Sequence, residues 1–421
     1  GYKDGSPVDY VMSQVLSIND VEKVKEYKKI ISKILNGVTA LFIDGCEEAL
    51  LIESRGYEKR NIEKPSTESV VMGSQEGFTE NLRTNITLIR RIIKNKDLIT
   101  EIIPVGKTSN SNCAIMYLEG IANPELVKEV KRRIKRINID FVTGDGMIEQ
   151  FIEDKSFQII PQVLNTERPD RAASFIMEGQ VIIIGEGVPF VNVVPVTFFA
   201  MFHASEDSFL RWPFGTAIRL IRILGLFFAT LLPSLYVSLI LYHQEMIPTD
   251  LLVALATARE NVPFPTIIEV LILEISFELI REAGVRVPGI IGPTLGIIGA
   301  LILGQAAVDA NLVSPVLIII VAVTGLGNFA IPSYSLAIGI RLIRFGLILA
   351  GAFLGFYGVA AVLFIVGCFV CNMKSFGVPF LSPISPVTRK NPDIIARAPN
   401  FKQKKRPDYL NTPNQKRTSD R

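Results

Sequence analysis

Charged and apolar positions interleave along the first half of the chain, at spacings that switch between helical and alternating. From Val11 to Asn36 the apolar residues Val21, Val24, Ile30, Ile31 and Ile34 recur at helical spacing behind Ser17, Asn19 and Asp20 as candidate caps. This predicts an amphipathic helix within an N-terminal segment 1–36. Val38–Ile43 and Ala49–Glu53 read as strands around an Asp44-Gly45 turn. Asn81–Asn95 has a helical apolar stripe, Gly106–Asn112 is a polar loop, and Cys113–Leu118 is a strand. Pro124 suits the first turn of a helix running to Arg136, and Val181–Val194 is strand-like. These elements predict an α/β domain of two small lobes, 37–110 and 111–215.

From about Thr216 to Met373 the charges nearly vanish, which predicts an α-helical transmembrane bundle over 216–373. A span needs about 20 largely apolar residues. Ala217–Tyr242, Pro288–Val308 and Leu312–Ile331 qualify, and Phe345–Cys371 is long enough to cross with tilt. Gly351, Gly355 and Gly358 could instead bend that last run into two short pieces. Thr266–Ala283 is apolar but carries Glu269, Glu274 and Glu278. Its apolar residues favour insertion by roughly 3–6 kcal/mol, while three central glutamates oppose it by roughly 7–10 kcal/mol. A lipid-exposed span is therefore disfavoured. Glu274, Glu278 and Arg281 share one face, so this helix either lies in the interface or hides an internal charge network.

Composition adds orientation. The formal charge of +3 hides a sorting by region: after Ser385 the chain holds ten Lys/Arg and three Asp. The basic tail, 374–421, is expected inside. The first residues carry no apolar signal core, which predicts a cytoplasmic N-terminal domain. Four crossings with both termini inside satisfy this, as do six, although Arg341 and Arg344 fall outside in the four-span scheme.

Candidate chemistry is sparse. The four cysteines are scattered, and Cys368 and Cys371 sit at the end of an apolar run. His203 and His243 lie outside any metal-ligand spacing. Gly106-Lys107-Thr108 resembles the end of a phosphate loop but has Glu101 where a glycine is required. Gly325-x-Gly327 lies within an apolar span. No catalytic, cofactor or metal site, no nucleic-acid interface and no enzymatic activity is expected.

Several motifs, in order, bring a family into view. Glu167-Arg168-Pro169-Asp170, Met177-Glu178-Gly179-Gln180, Val188-Pro189-Phe190, Pro195-Val196-Thr197-Phe198-Phe199 and Glu206-Asp207 resemble the spore germination receptor A subunits of GerA type. Gln244–Pro248, Ala258–Pro265, Glu278–Pro288, Gly304–Val308 and Ser375–Phe380 extend the resemblance. Gln180 and Met72 depart from it, standing where arginines are common. The resemblance implies a multi-pass subunit in the spore inner membrane, responding to nutrients with a transporter-like B subunit and a lipoprotein C subunit. It also implies a homo-oligomer around a membrane pore. On Pro288–Val308, small residues from Gly292 to Ala307 recur at i+3/i+4 spacing, which suits either tight helix packing or a water-lined axis. With the resemblance counted, Gln305, Val308 and Asp309 are the pore and gate candidates, an apolar ring beside a carboxylate ring. A secondary transporter and a non-conducting scaffold for partner proteins are the alternatives.

Overall fold

The computed structural model describes residues 11, 21–35, 38–52, 62–286, 299, 302, 304–388 and 393–417. The chain divides into two compact units, residues 1–60 and 61–421. In the first, strands Val21–Val24 (β1), Thr39–Phe42 (β2) and Ala49–Ile52 (β3) form an antiparallel sheet in the order β1-β3-β2. Helix Tyr27–Leu35 (α1) supplies Ile30 to a core with Val24, Val38, Ala49 and Leu51. The single helix expected from Val11 to Asn36 is thus corrected. β3 is buried at every position, and Val21–Val24 covers its second edge as a strand, leaving no unpaired ladder. Residues 12–20 lie outside the described set.

The second unit opens on helix Leu82–Ile92 (α2), whose first turn is capped by Asn81, the side chain accepting from Thr84 N at 3.1 Å. Strands Leu98–Val105 (β4) and Ser111–Leu118 (β5), helices Pro124–Arg136 (α3) and Gly144–Ile152 (α4), and strand Leu164–Thr166 (β6) follow. Helix Pro169–Glu178 (α5) and strands Val181–Gly185 (β7) and Val191–Val194 (β8) complete the α/β part. Its sheet is antiparallel in the order β4-β5-β7-β8-β6. Alternate residues serve opposite faces. Ala114, Met116, Ile182 and Ile184 pack with α2 and α5, while Cys113, Ile115, Val181 and Ile183 pack with α3 and α4.

Two expectations fail here for one reason. The border drawn between residues 110 and 111 cuts the β4–β5 hairpin, where Val105 opposes Ser111; both supposed lobes share this sheet. Val181–Val194 is a hairpin of two strands. A strand covered on both faces reads as one apolar run, so its ends and partners are not marked by alternation.

The helical region begins at Trp212–Tyr242 (α6), five residues before the expected span, and continues with Thr249–Arg259 (α7) and Thr266–Arg286 (α8). Helix Pro315–Phe329 (α9) is capped by Ser314, and Tyr334–Asn372 (α10) by Ser333. Among the described residues, α6 and α10 are long and apolar enough to cross a membrane, with mean hydropathy 2.1 and 2.4 over their most apolar stretches. Most of the expected span Pro288–Val308 lies outside the described set.

α10 is not one straight rod. Gly355 has φ 60° and ψ −143°, outside any helical region. A Cβ on Gly358 would meet the Ala350 carbonyl oxygen at 2.2 Å. Eight residues of straight helix would separate those positions by about 12 Å, so the chain doubles back at Gly355 into two arms, 334–354 and 356–372. The run Phe345–Cys371 is therefore not a single tilted span. The first arm starts on the sheet domain, with Gly339 against the Ile159 carbonyl. The second arm returns to it through the small hairpin Lys374–Ser375 (β9) and Val378–Pro379 (β10).

That return is tightly bonded. Val196 N donates to Ser375 Oγ at 3.0 Å, Ser375 Oγ donates to the Gln162 carbonyl at 2.7 Å, and Phe198 N donates to the Phe380 carbonyl at 2.8 Å. Met373 and Phe380 belong to the same core as α2 and α5. The expected tail, 374–421, is likewise not a free extension. Arg406 donates to the Met177 carbonyl, Arg417 pairs with Glu178, and Leu410 and Thr412 are buried.

Candidate functional site

The acidic helix α8 organises the helical region. Glu269, Glu274 and Glu278 rise along it, one or a little over one turn apart. Glu269 is fully buried and accepts from Arg259 Nη2 of α7 at 2.8 Å and from Ser314 N, before α9, at 3.2 Å. Glu274 pairs with Arg344 of α10 at 2.9 Å, each side chain 1% exposed. Glu278 takes Arg341 of α10 at 3.1 Å and also contacts Arg281. The order of pairing, 274 with 344 and 278 with 341, makes α8 and the first arm of α10 antiparallel.

A carboxylate and a guanidinium are withdrawn from water at the central rung, a burial that only close pairing makes tolerable. Arg344 also reaches the Ala229 carbonyl of α6 at 3.5 Å. Of the three network candidates read from the sequence, Glu274 and Glu278 each take a partner from α10, while Arg281 contacts only Glu278 within the ladder. The partners Arg341, Arg344 and Arg259 were missed. Their signal was present: two bases three residues apart match two acids four residues apart on antiparallel apolar helices.

The tip of the α10 hairpin is closed by the end of α6. Tyr242 Oη donates to the carbonyls of Ala352 and Phe353 at 2.9 and 2.8 Å. His243 Nε2 accepts from Phe356 N at 3.3 Å and stacks on the Phe356 ring, 4.4 Å between centroids. A helix break leaves backbone groups without intrahelical partners, and these two side chains satisfy them.

At the opposite end, α6 enters the sheet domain through a second charge cluster. Asp207, 1% exposed, accepts from Arg222 Nη1 at 2.8 Å and Arg219 Nε at 3.1 Å. Arg219 also holds Asp393 of the tail at 2.5 Å. Burial pushes the Asp207 carboxyl up, and the two guanidinium groups more than offset this, holding it below the usual range. Burial, then the Arg219 charge, depresses His203 to about 4, so it is neutral, and Nε2 donates to the Ile394 carbonyl at 2.7 Å. A cavity of about 400 Å³ opens beside this junction. Its arginines already hold carboxylates: Arg171 with Glu68, Arg219 with Asp207, and Arg417 with Glu178.

The pore candidates sit in a helical stretch, 304–309. Gln305 and Asp309 are exposed, and Val308 is half-buried against the cluster containing Tyr236, Val270 and Leu317. The loop after Gly106 spends its amides internally, Lys107 N on Ile139 O and Thr108 N on Asp140 O. Among the described residues, no three His, Cys, Asp or Glu converge to hold a metal. Gln180 donates to the Pro195 carbonyl at 2.8 Å. The Glu167–Asp170 motif staples the segment around residues 66–76 to the sheet: Glu167 accepts from Ser66 and Thr67, and Arg168 donates to the Glu68 and Ser74 carbonyls.

Comparison with known proteins gives a consistent picture. The family described as Bacillus/Clostridium GerA spore germination protein matches residues 3–409. The chain is 42% identical over 404 residues to spore germination protein KA of Bacillus subtilis (strain 168), covering 96% of this chain and 74% of that one. It is 42% identical over 397 residues to the uncharacterized membrane protein YfkQ of the same strain, covering 94% and 77%. Among solved structures, the N-terminal domain of the A subunit of the Bacillus megaterium spore germinant receptor GerK3 is 38% identical. It covers 29% of this chain and 97% of that chain, with a TM-score of 0.24.

Proposed function

The chain belongs to the GerA family of spore germination proteins, and from that premise we propose that it is the membrane subunit of a nutrient-responsive germination receptor that oligomerises into a ligand-gated ion channel. The observation that carries this reading is the exposure of Gln305 and Asp309, at i and i+4, beside an apolar bundle. In the proposed topology both groups face away from the bundle at the outer end of a crossing, where neighbouring copies would set them around the mouth of a shared aqueous axis. Asp309 would then form a cation-favouring mouth and Val308 an adjacent apolar constriction that gates by dewetting. A transporter-like B subunit and a lipoprotein C subunit are the proposed partners, and the spore inner membrane is the proposed location.

The test is conductance of the purified protein in planar bilayers, with and without those partners, after its oligomeric state is measured. Val308→Ala should leak ions without nutrient, and Asp309→Asn should lower cation preference while leaving assembly intact. A Val308→Ala protein that assembles yet neither leaks nor alters the response would place the pore elsewhere. Substrate uptake into vesicles by the chain alone would favour a secondary transporter, the reading to which the acidic stripe Glu269, Glu274 and Glu278 lends itself.

The proposed topology has six crossings: α6 outward, α8 inward, the 288–309 segment outward, α9 inward, and the two arms of α10 outward and inward. Both termini are then cytoplasmic. Arg341 and Arg344 fall in the inner half of the bundle, which removes the misfit of the four-span scheme. In a cysteine-free background, Glu245→Cys should label from outside in intact cells, and Asn411→Cys only after permeabilisation. Labelling of Asn411→Cys from outside would sink the scheme.

A further inference from the structure

On the sheet face covered by α4, two asparagines are hydrogen-bonded to the helix, one to the Glu149 carboxylate and one to the Asp145 backbone carbonyl. Asp145 and Glu149 are one helical turn apart on α4. Asn165 of β6 and Asn192 of β8 are directly opposite each other across the strand pair. Asn165 Nδ2 donates to Glu149 Oε2 at 2.8 Å, and Asn192 Nδ2 donates to the Asp145 carbonyl at 3.0 Å. Those bonds settle which way each amide points, because a flip would set an oxygen against an acceptor. Both amide oxygens, Asn165 Oδ1 and Asn192 Oδ1, are consequently left buried with no donor, and Asn192 is fully buried.

An unpaired buried acceptor is costly, and two on adjacent strands beside two carboxylates call for an electropositive partner.

We propose that Asp145, Glu149, Asn165 and Asn192 form a site for a hard divalent cation of calcium type, which ties α4 to the β6–β8 edge of the sheet. Two carboxylates balance its charge, and the two amide oxygens complete an all-oxygen donor set beside the half-buried Glu149. Mixed carboxylate and amide oxygens suit the flexible coordination of calcium better than the strict octahedron of magnesium.

The test uses the full chain in detergent, stripped with a chelator, with thermal unfolding followed as CaCl2 or MgCl2 is added to roughly millimolar concentration. Calcium should raise the midpoint by several degrees and magnesium by less. Glu149→Gln preserves the acceptor for Asn165 but removes the charge. It should unfold no earlier than wild type in chelator and lose the calcium response. Asn165→Asp should unfold earlier in chelator and gain a larger calcium response, which keeps the test open if Glu149→Gln does not fold. A wild-type protein indifferent to calcium, whose amide oxygens then hold only water, overturns the proposal. So does a calcium response that survives unchanged in both variants.

Discussion

Arg344→Met should strand the Glu274 carboxylate in the helical bundle and destabilise the protein by about 3–5 kcal/mol. Both side chains of this pair are 1% exposed at 2.9 Å, so water cannot replace the lost guanidinium. Restoring neutrality should restore stability: Glu274→Leu with Arg344→Met replaces the pair by apolar groups and should regain most of the loss. Glu278→Ala offers the internal contrast. Its side chain is 39% exposed while its partners Arg341 and Arg281 are 10% and 15% exposed, so its loss should cost less than that of the sealed 274/344 pair. The measurement is thermal unfolding in detergent across the four members of the 274/344 cycle. Simple additivity of the two single changes would refute the buried pair, because the cycle would then contain no coupling.

A comparable loss is expected at the hairpin tip. Gly355 has φ 60° and ψ −143°, a region that residues with a Cβ occupy only under strain of roughly 1–3 kcal/mol. A Cβ there would also lie 3.0 Å from His243 Nε2 and 3.1 Å from Tyr242 Cβ. Gly355→Ala should therefore loosen or reopen the turn. Tyr242→Phe, which only removes the donor to two carbonyls, should cost about 1–3 kcal/mol. Spin labels on Gly346→Cys and Gly367→Cys, one on each arm and both with open space around them, report the geometry directly: they should lie well inside the roughly 30 Å that straight helix would put between them, and Gly355→Ala should lengthen the distance. A separation of roughly 30 Å in the wild-type background would mean that the chain is not folded back at Gly355.

Several features were legible in the residues alone because each rests on a local cause. Asn81 and Pro124 open helices through groups within one turn, and the α3 stripe of Leu126, Val127, Val130 and Ile134 is buried as its period requires. The strand β1 was not legible: Val21 and Val24 fit a helical period as well as a strand, and only the open edge of β3 decides between them. The β4–β5 pairing was hidden for the same reason, since a partner is a non-local property. The acidic stripe on α8 was readable, and its being shielded from lipid follows from the cost of three glutamates. Its partners were not, because Arg341 and Arg344 also read as markers of membrane side, and pairing with Glu274 and Glu278 across 63 to 70 positions is a non-local property. The fold-back at Gly355 was visible only as one of three glycines able to bend.

The bonding of Ser375 to Val196 has a consequence for biosynthesis. The two residues are separated by 179 positions, and those positions include all of the apolar helices. When the sheet domain leaves the ribosome, the places of Met373 and Phe380 in its core are vacant. At about 5–20 residues per second, they stay vacant for on the order of ten seconds or more while the helices are inserted. During that interval the sheet domain is an unfinished intermediate whose exposed apolar seam needs a chaperone or the nearby membrane surface. Its closure reports that the last helical hairpin has been delivered to the correct side, so a topological error late in synthesis would leave a domain made before the helices open to proteolysis.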